Sequence, residues 1–127
     1  MITVTVSKQS NYSISTAKIK NVLREFLFNK GIVSDAQVSV SIVGEKSMLE
    51  LGKKYLKDRK LHNVLSFTED EVKKKFAYPP GSIYLGEIIL CYPKICDEAN
   101  VENKLIEEKF IELVEHGAMH LLGIHHE

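Results

Sequence analysis

The sequence lacks several features that would assign it to a specialised class of protein. Its 17 basic and 17 acidic side chains cancel, so it has no net charge of the kind that marks a general nucleic-acid or membrane binder. No apolar run reaches the length of a transmembrane helix. The segment that begins at Met1 lacks the basic region and following apolar stretch of an export signal. We therefore expect a cytoplasmic protein with no membrane partner.

Cysteine is scarce, and repeats and low-complexity segments are missing. The two cysteines, Cys91 and Cys96, are five positions apart, which matches neither a CxxC metal site nor a redox pair. The 127 residues, 44% hydrophobic and 27% charged, have the composition of an ordinary globular protein and a length that suits one hydrophobic core. We predict a single domain over residues 1–127.

The hydrophobic pattern predicts short strands that alternate with helices. Apolar residues that alternate or cluster with β-branched types predict strands at residues 2–6, 38–42, 64–67 and 83–91.

Helical spacing of apolar residues predicts the remaining elements. One helix begins after Ser13 or Ser15 and runs to about Asn29, where Gly31 ends it, and a short helix follows Gly44. From residue 93 to residue 122 the periodicity predicts one long C-terminal helix. Its inward stripe comprises Leu105, Ile106, Phe110, Leu113, Val114, Gly117 and Leu121. This order predicts an α+β fold, a mixed β-sheet packed against helices, with a long C-terminal metal-binding helix.

Histidines are concentrated at the C-terminal end, where four of the five lie within the last twelve residues. His116 and His120 are four apart on the predicted helix, so their rings project from one face and can converge on one ion. Gly123 can end the helix in a left-handed turn, which would return the chain and bring His126 towards the pair. Three neutral imidazoles with one open position form a catalytic zinc site, so we predict one Zn²⁺ on His116, His120 and His126.

The spacing of these histidines equals that of the metzincin proteases, with one difference. Gly117 follows the first histidine, where those enzymes need a glutamate as general base. Ordinary metzincin chemistry is therefore disfavoured. His125 is the alternative third ligand, and the motif spacing favours His126.

With this motif in view, the chain resembles the YbeY family of bacterial endoribonucleases, whose signature is His-Gly-x-Leu-His-Leu-x-Gly-Tyr-Asp-His. The matching residues are His116, Gly117, His120, Leu121, Gly123 and His126. A second family block, which ends in Val-Leu-Ser-Phe, resembles residues 61–67, and a third, Leu-Gly-Asp-Ile, resembles residues 85–88. The resemblance spans nearly the whole chain in the family's order.

The chain departs from the family at a position linked to activity. The family places an arginine after the tyrosine that corresponds to Tyr55, and Leu56 stands there instead. Arg59 or Lys57 can supply the missing charge, and we predict Arg59 as the catalytic residue that stabilises the phosphate during cleavage. We interpret His62, beside the Val-Leu-Ser-Phe block, as a hydrogen-bonded structural or surface residue.

The resemblance implies a zinc-dependent endoribonuclease that prefers single strands. It also implies a role in ribosomal RNA maturation and ribosome quality control, with ribosomal RNA and the small ribosomal subunit as partners. Positive charge over residues 53–60 can hold the phosphate backbone.

Two other functions remain open from the sequence. One is a zinc hydrolase that acts on another substrate, such as a peptide, with Glu112, Glu115 or Glu127 as base. The other is a non-catalytic module that binds the ribosome, in which zinc only pins the C-terminus.

Overall fold

The structure is a computed structural model that describes residues 1–72 and 82–123. Within these ranges, strands and helices alternate along the chain. The strands are β1 (Ile2–Lys8), β2 (Ala36–Val43), β3 (Val64–Phe67) and β4 (Ile83–Cys91). The helices are α1 (Thr16–Asn29), α2 (Glu45–Leu51), α3 (Glu69–Val72), α4 (Tyr92–Val101) and α5 (Ile106–Leu121), and one π-helical turn (Gly52–Leu56) continues α2.

The four strands form one mixed sheet in the order β1-β2-β4-β3. β1, β2 and β4 run parallel, and β3 pairs antiparallel with β4 along the other edge. The predicted strands are confirmed, with β3 and β4 at the predicted bounds. The predicted α+β class is therefore confirmed too.

Side chains on the two faces of the sheet belong to two separate apolar clusters. The larger cluster joins α1, α4 and α5 to one face, with Leu23, Ile88 and Phe110 fully buried. The smaller cluster lies on the other face, where Met48 of α2 packs with Leu65, Phe67, Ile89 and Cys91. β4 contributes to both clusters because its successive side chains point to opposite faces. In the described ranges, no helix is long and apolar enough to cross a membrane.

The ends of α1 agree with the sequence. The Ser15 side chain caps the helix by accepting a hydrogen bond from the backbone N–H of Lys18 at 3.2 Å. Gly31 follows the last turn with φ of 97°, a conformation that glycine adopts without strain.

The prediction of one continuous helix from residue 93 to residue 122 is wrong. α4 ends at Val101 and α5 begins at Ile106, and between them Asn103 has φ of 56°. Asparagine tolerates this left-handed conformation better than most residues, so the chain can turn here. Leu105 is 69% exposed and Ile106 is 38% exposed, so neither belongs to the inward stripe. The periodicity misled because both helices pack on the same apolar cluster.

Candidate active site

Helix α5 carries His116 and His120 on adjacent turns, as predicted. His116 is exposed and His120 is partly exposed. Two glycines let α5 approach the sheet closely. A Cβ on Gly117 would lie 3.0 Å from Ile88 of β4, and a Cβ on Gly86 of β4 would lie 2.7 Å from Leu121 of α5. The close packing of α5 on β4 therefore determines where the two imidazoles lie.

Glu71 lies beside His120, although 49 residues separate them in the chain. Oε1 of Glu71 is 3.2 Å from Nε2 of His120, and the same oxygen accepts a hydrogen bond from the Thr68 N–H at 2.9 Å. The Thr68 N–H, together with His120, holds the pKa of the Glu71 carboxyl below its ordinary value. The carboxylate is thus anchored to the first turn of α3 and faces a predicted metal ligand.

Sequence reasoning did not single out Glu71, although a signal was present. Thr68 and Glu71 have the Thr-x-x-Glu spacing of a capping box, in which the glutamate reaches back to the backbone N–H of the first residue. That spacing indicates the start of a helix, but it carries no information about a partner on α5.

His116 lies in an open groove between α5 and α1. The groove has a volume of about 530 Å³ and is lined by Phe26, Glu108, Ile111, Glu112, Glu115, His116 and Met119. Its lining combines apolar side chains with three glutamates, so it does not favour the phosphate backbone of RNA.

Glu112 is held by two lysines and is a poor candidate for a general base. Lys104 donates to Oε1 at 2.6 Å, and Lys109 donates to Oε2 at 2.7 Å. The hydrogen bond from Lys104, and to a smaller extent that from Lys109, lowers the pKa of Glu112 to about 2. A general base that works near neutral pH needs a higher pKa, so Glu112 does not suit this role.

The predicted turn after α5 is present. Gly123 has φ of 76°, and its N–H donates to the His120 carbonyl at 3.0 Å. His126, its alternative His125, and Glu127 lie outside the described residues. Within residues 1–72 and 82–123, no three His, Cys, Asp or Glu side chains come together as a metal-binding group. The prediction of His126 as third ligand stays a prediction.

The residues present suit a zinc ion in their chemistry. Imidazole nitrogens are preferred zinc ligands, and His116 and His120 have the one-turn spacing of a helical ligand pair. The carboxylate of Glu71 on Nε2 of His120 matches the carboxylate that commonly orients a ligating histidine, with Nδ1 of the ring left for the ion.

The basic stretch, residues 53–60, begins in the π-helical turn and continues into the loop that leads to β3. Lys53, Lys57, Asp58 and Arg59 line an open hollow of about 370 Å³. Leu56, at the position of the family arginine, is 46% exposed. Arg59 therefore shares its surroundings with two lysines, and it lies in the loop that leads into β3.

His62 is hydrogen-bonded, in line with its interpretation as a structural residue. Its Nε2 lies 3.0 Å from Oδ1 and 2.9 Å from Oδ2 of Asp58. The bond from His62 is the main reason why the pKa of Asp58 lies below its ordinary value. Sequence reasoning assigned no role to Asp58.

Comparison with known proteins agrees with the resemblance of the motifs. The family model described as endoribonuclease YbeY matches residues 4–127. Two curated relatives carry the name endoribonuclease YbeY. The protein from Acinetobacter baumannii is 28% identical over 114 residues, which cover 90% of this chain and 72% of the relative. The protein from Acinetobacter baylyi is 29% identical over 123 residues, which cover 94% and 75%.

A solved structure has a similar fold. The solution structure of TM1509 from Thermotoga maritima aligns with a TM-score of 0.58 and 26% sequence identity. The alignment covers 98% of this chain and 75% of that protein. Since the family model matches nearly the whole chain, the chain belongs to the endoribonuclease YbeY family, whose name denotes enzymes that hydrolyse RNA phosphodiester bonds.

Proposed function

We propose that the protein is a zinc-dependent endoribonuclease that cuts single-stranded segments of ribosomal RNA in the cytoplasm. We further propose that it acts in ribosomal RNA maturation and ribosome quality control, with the small ribosomal subunit as its partner. The observation that carries the proposal is the pair His116 and His120, one turn apart on α5, in a chain that belongs to an endoribonuclease family.

The proposed ligands are His116, His120 and His126. A bound zinc ion lowers the pKa of a water molecule towards neutrality and polarises a phosphoryl oxygen. Glu71 orients the His120 ring through its hydrogen bond. Gly123 ends α5 with φ of 76°, a left-handed conformation that allows a chain to reverse after a helix, as a third ligand from the last residues would require.

The substrate is held by positive charge from residues 53–60, where five basic side chains include Arg59. Phosphate contacts of this kind bind RNA without reading its sequence. The glutamates that line the groove at His116 work against RNA there, so we propose that the strand approaches the metal from the side of the basic residues 53–60.

Zinc content and substrate choice test the proposal together. The zinc-loaded protein is incubated with a ribosomal RNA fragment and, separately, with casein. We expect cleavage of the RNA only, about one zinc per chain, and loss of both metal and cleavage in His120→Ala. His125→Ala is the matched control and should keep its zinc.

The other outcomes identify the competing functions. Cleavage of casein would indicate a peptide hydrolase. Salt-sensitive RNA binding without cleavage by the zinc-loaded protein would indicate a binding module on the ribosome. A chain that carries no metal after metal-replete expression would contradict the zinc site itself.

A further inference from the structure

The basic hollow, defined by Lys53, Lys57, Asp58 and Arg59, has the charge of an anion site. Lys53, Lys57 and Arg59 are exposed, and none of them forms an ion pair in the part of the chain that the structure describes. Three like charges around one hollow repel each other and do not help the chain to fold. A bound anion would relieve this repulsion.

The single carboxylate in the hollow offsets only part of the positive charge of the three cations, and its oxygens are bonded to other groups. Asp58 bonds to His62 through both oxygens, and its Oδ1 accepts the Lys60 N–H at 3.3 Å. The side chain of Asp58 is 29% exposed and that of His62 is 23% exposed. Through this contact, Asp58 connects the basic hollow to His62, which precedes β3.

The backbone around the hollow has an unusual conformation. Gly52–Leu56 form a π-helical turn, a rare element that is frequent at functional sites. Gly52 is buried against Asp58 and His62, since a Cβ on Gly52 would lie 3.1 Å from Oδ1 of Asp58 and 3.3 Å from Cδ2 of His62. The Tyr55 ring anchors the turn on Phe67 of β3, with the ring centroids 4.8 Å apart.

Lys57 ends the π-helical turn in the left-handed region, with φ of 57° and ψ of 32°. Glycine adopts this conformation without the steric cost that a lysine side chain incurs. A lysine at this position is thus unfavourable for the backbone, and its charge in the hollow is a reason for its presence.

The hollow and the two histidines are associated with opposite ends of β3. Asp58 bonds to His62, which precedes the strand, whereas Glu71 bonds to Thr68, which follows it, and to His120. The extended strand β3 lies between them, and its four residues, Val64–Phe67, cover about 10 Å at about 3.3 Å per residue. A phosphate in the hollow is therefore a different phosphate from one held beside His120.

We propose that the basic hollow binds a backbone phosphate of single-stranded RNA other than the one that is cut, and that Asp58 and His62 are positioning residues for this subsite. The proposal rests on the proposed endoribonuclease function and specifies how the substrate is held. The subsite increases the affinity for RNA and leaves the rate of cleavage at saturation unchanged.

Binding of a labelled twelve-nucleotide oligouridylate, measured by fluorescence anisotropy over a range of salt concentrations, tests the subsite. Arg59→Ala should lower the affinity on the order of tenfold at low salt, since it removes one charged contact. It should also reduce the slope of log affinity against log salt by about 0.7, the value for one phosphate on a single strand. Arg24→Ala removes the only other arginine, on α1, and should change neither quantity.

Lys57→Gly separates binding from folding. Glycine suits the backbone conformation at this position, so the variant should unfold at the same urea concentration as the wild type or a higher one. Its salt slope should nevertheless fall by about 0.7, as in Arg59→Ala. A variant that folds and binds like the wild type would argue against a role for Lys57.

Two substitutions of Asp58 test its role as a positioning residue. Asp58→Asn removes the negative charge but keeps an acceptor for His62 and the Lys60 N–H, so RNA affinity should stay the same or rise a few fold. Asp58→Ala removes both, and affinity should fall several fold although the hollow becomes more positive. If both variants bind RNA more tightly, Asp58 acts only through its charge, and the positioning role is refuted.

Single-turnover cleavage of a ribosomal RNA fragment shows whether the phosphate in the hollow is the one that is cut. With the subsite as proposed, Arg59→Ala raises the enzyme concentration at half-saturation and leaves the rate at saturation unchanged. A hundredfold lower rate at saturation with unchanged affinity would instead place Arg59 at the scissile phosphate and overturn the inference. If the wild type binds oligouridylate through the hollow but cuts no RNA, the subsite stands and the proposed function fails. If the wild type cuts RNA and Arg59→Ala matches it in every measurement, the proposed function stands and the subsite is refuted.

Discussion

Glu71 and His120 are in contact across the site, with Oε1 of the carboxylate 3.2 Å from Nε2 of the imidazole. The carboxylate keeps its position because the Thr68 N–H holds it at the first turn of α3. This contact joins the segment after β3 to the proposed ligand helix.

Removal of the Glu71 carboxylate should weaken zinc binding. We expect Glu71→Ala to lower zinc affinity on the order of tenfold, because it removes a negative charge near the ion and the group that orients His120. Competition with a chromophoric chelator measures this affinity. Glu69→Ala, in the same turn, is the control and should bind zinc as the wild type does. Tighter binding by Glu71→Ala would mean that the carboxylate competes with the metal for His120.

Gly86→Ala should destabilise the protein strongly. Gly86 has φ of 142°, and an added Cβ would overlap the Phe67 carbonyl oxygen and crowd Leu121. We expect the free energy of unfolding in urea to fall by about 3 kcal/mol or more. Gly31→Ala is the matched control. Its φ is 97° with open space around the added atom, so the loss should be about 1–2 kcal/mol. Equal losses would refute the role given to close packing at Gly86.

Glu112 should stabilise the fold at neutral pH and not at low pH. Its pKa is about 2 in the folded chain against an ordinary value of 4.5. The unfolded chain therefore binds more protons between these values, and this stabilisation is lost as the pH falls through that window. Glu112 is 45% exposed, so we expect Glu112→Gln to cost only about 0.5–1 kcal/mol at pH 7. The difference from wild type should vanish near pH 2 in urea titrations. A difference that persists at pH 2 would exclude the ion pairs as its source.

Leu56→Arg restores the family residue and should change cleavage little. Leu56 is 46% exposed, so the substitution should not disturb the core. The added cation lies next to Lys57, so we expect RNA affinity to rise a few fold and the salt slope to increase by about 0.7. The rate at saturation, measured under single-turnover conditions, should stay the same. A large rise in that rate would mean that the chain is a weakened member of its family.

Local patterns were sufficient to predict most elements of this fold and the position of His116 and His120 on one helix. Alternation of apolar residues predicted β3 and β4 at their observed bounds, since side-chain direction in a strand follows directly from sequence position. The spacing of His116 and His120 predicted their place on one helix for the same reason. The break between α4 and α5 was missed because both helices bury apolar residues in the same cluster. The helical spacing of apolar residues therefore continues across the turn between them.

The sequence by itself determined the α+β class, the left-handed turn at Gly123 and the position of the two histidines on α5, because each depends on backbone preferences within a few residues. Tertiary structure alone decided the contact of Glu71 with His120 and the insertion of β4 between β2 and β3. These features join residues that are distant in the chain, and such pairings depend on how apolar faces pack together, which local periodicity does not encode.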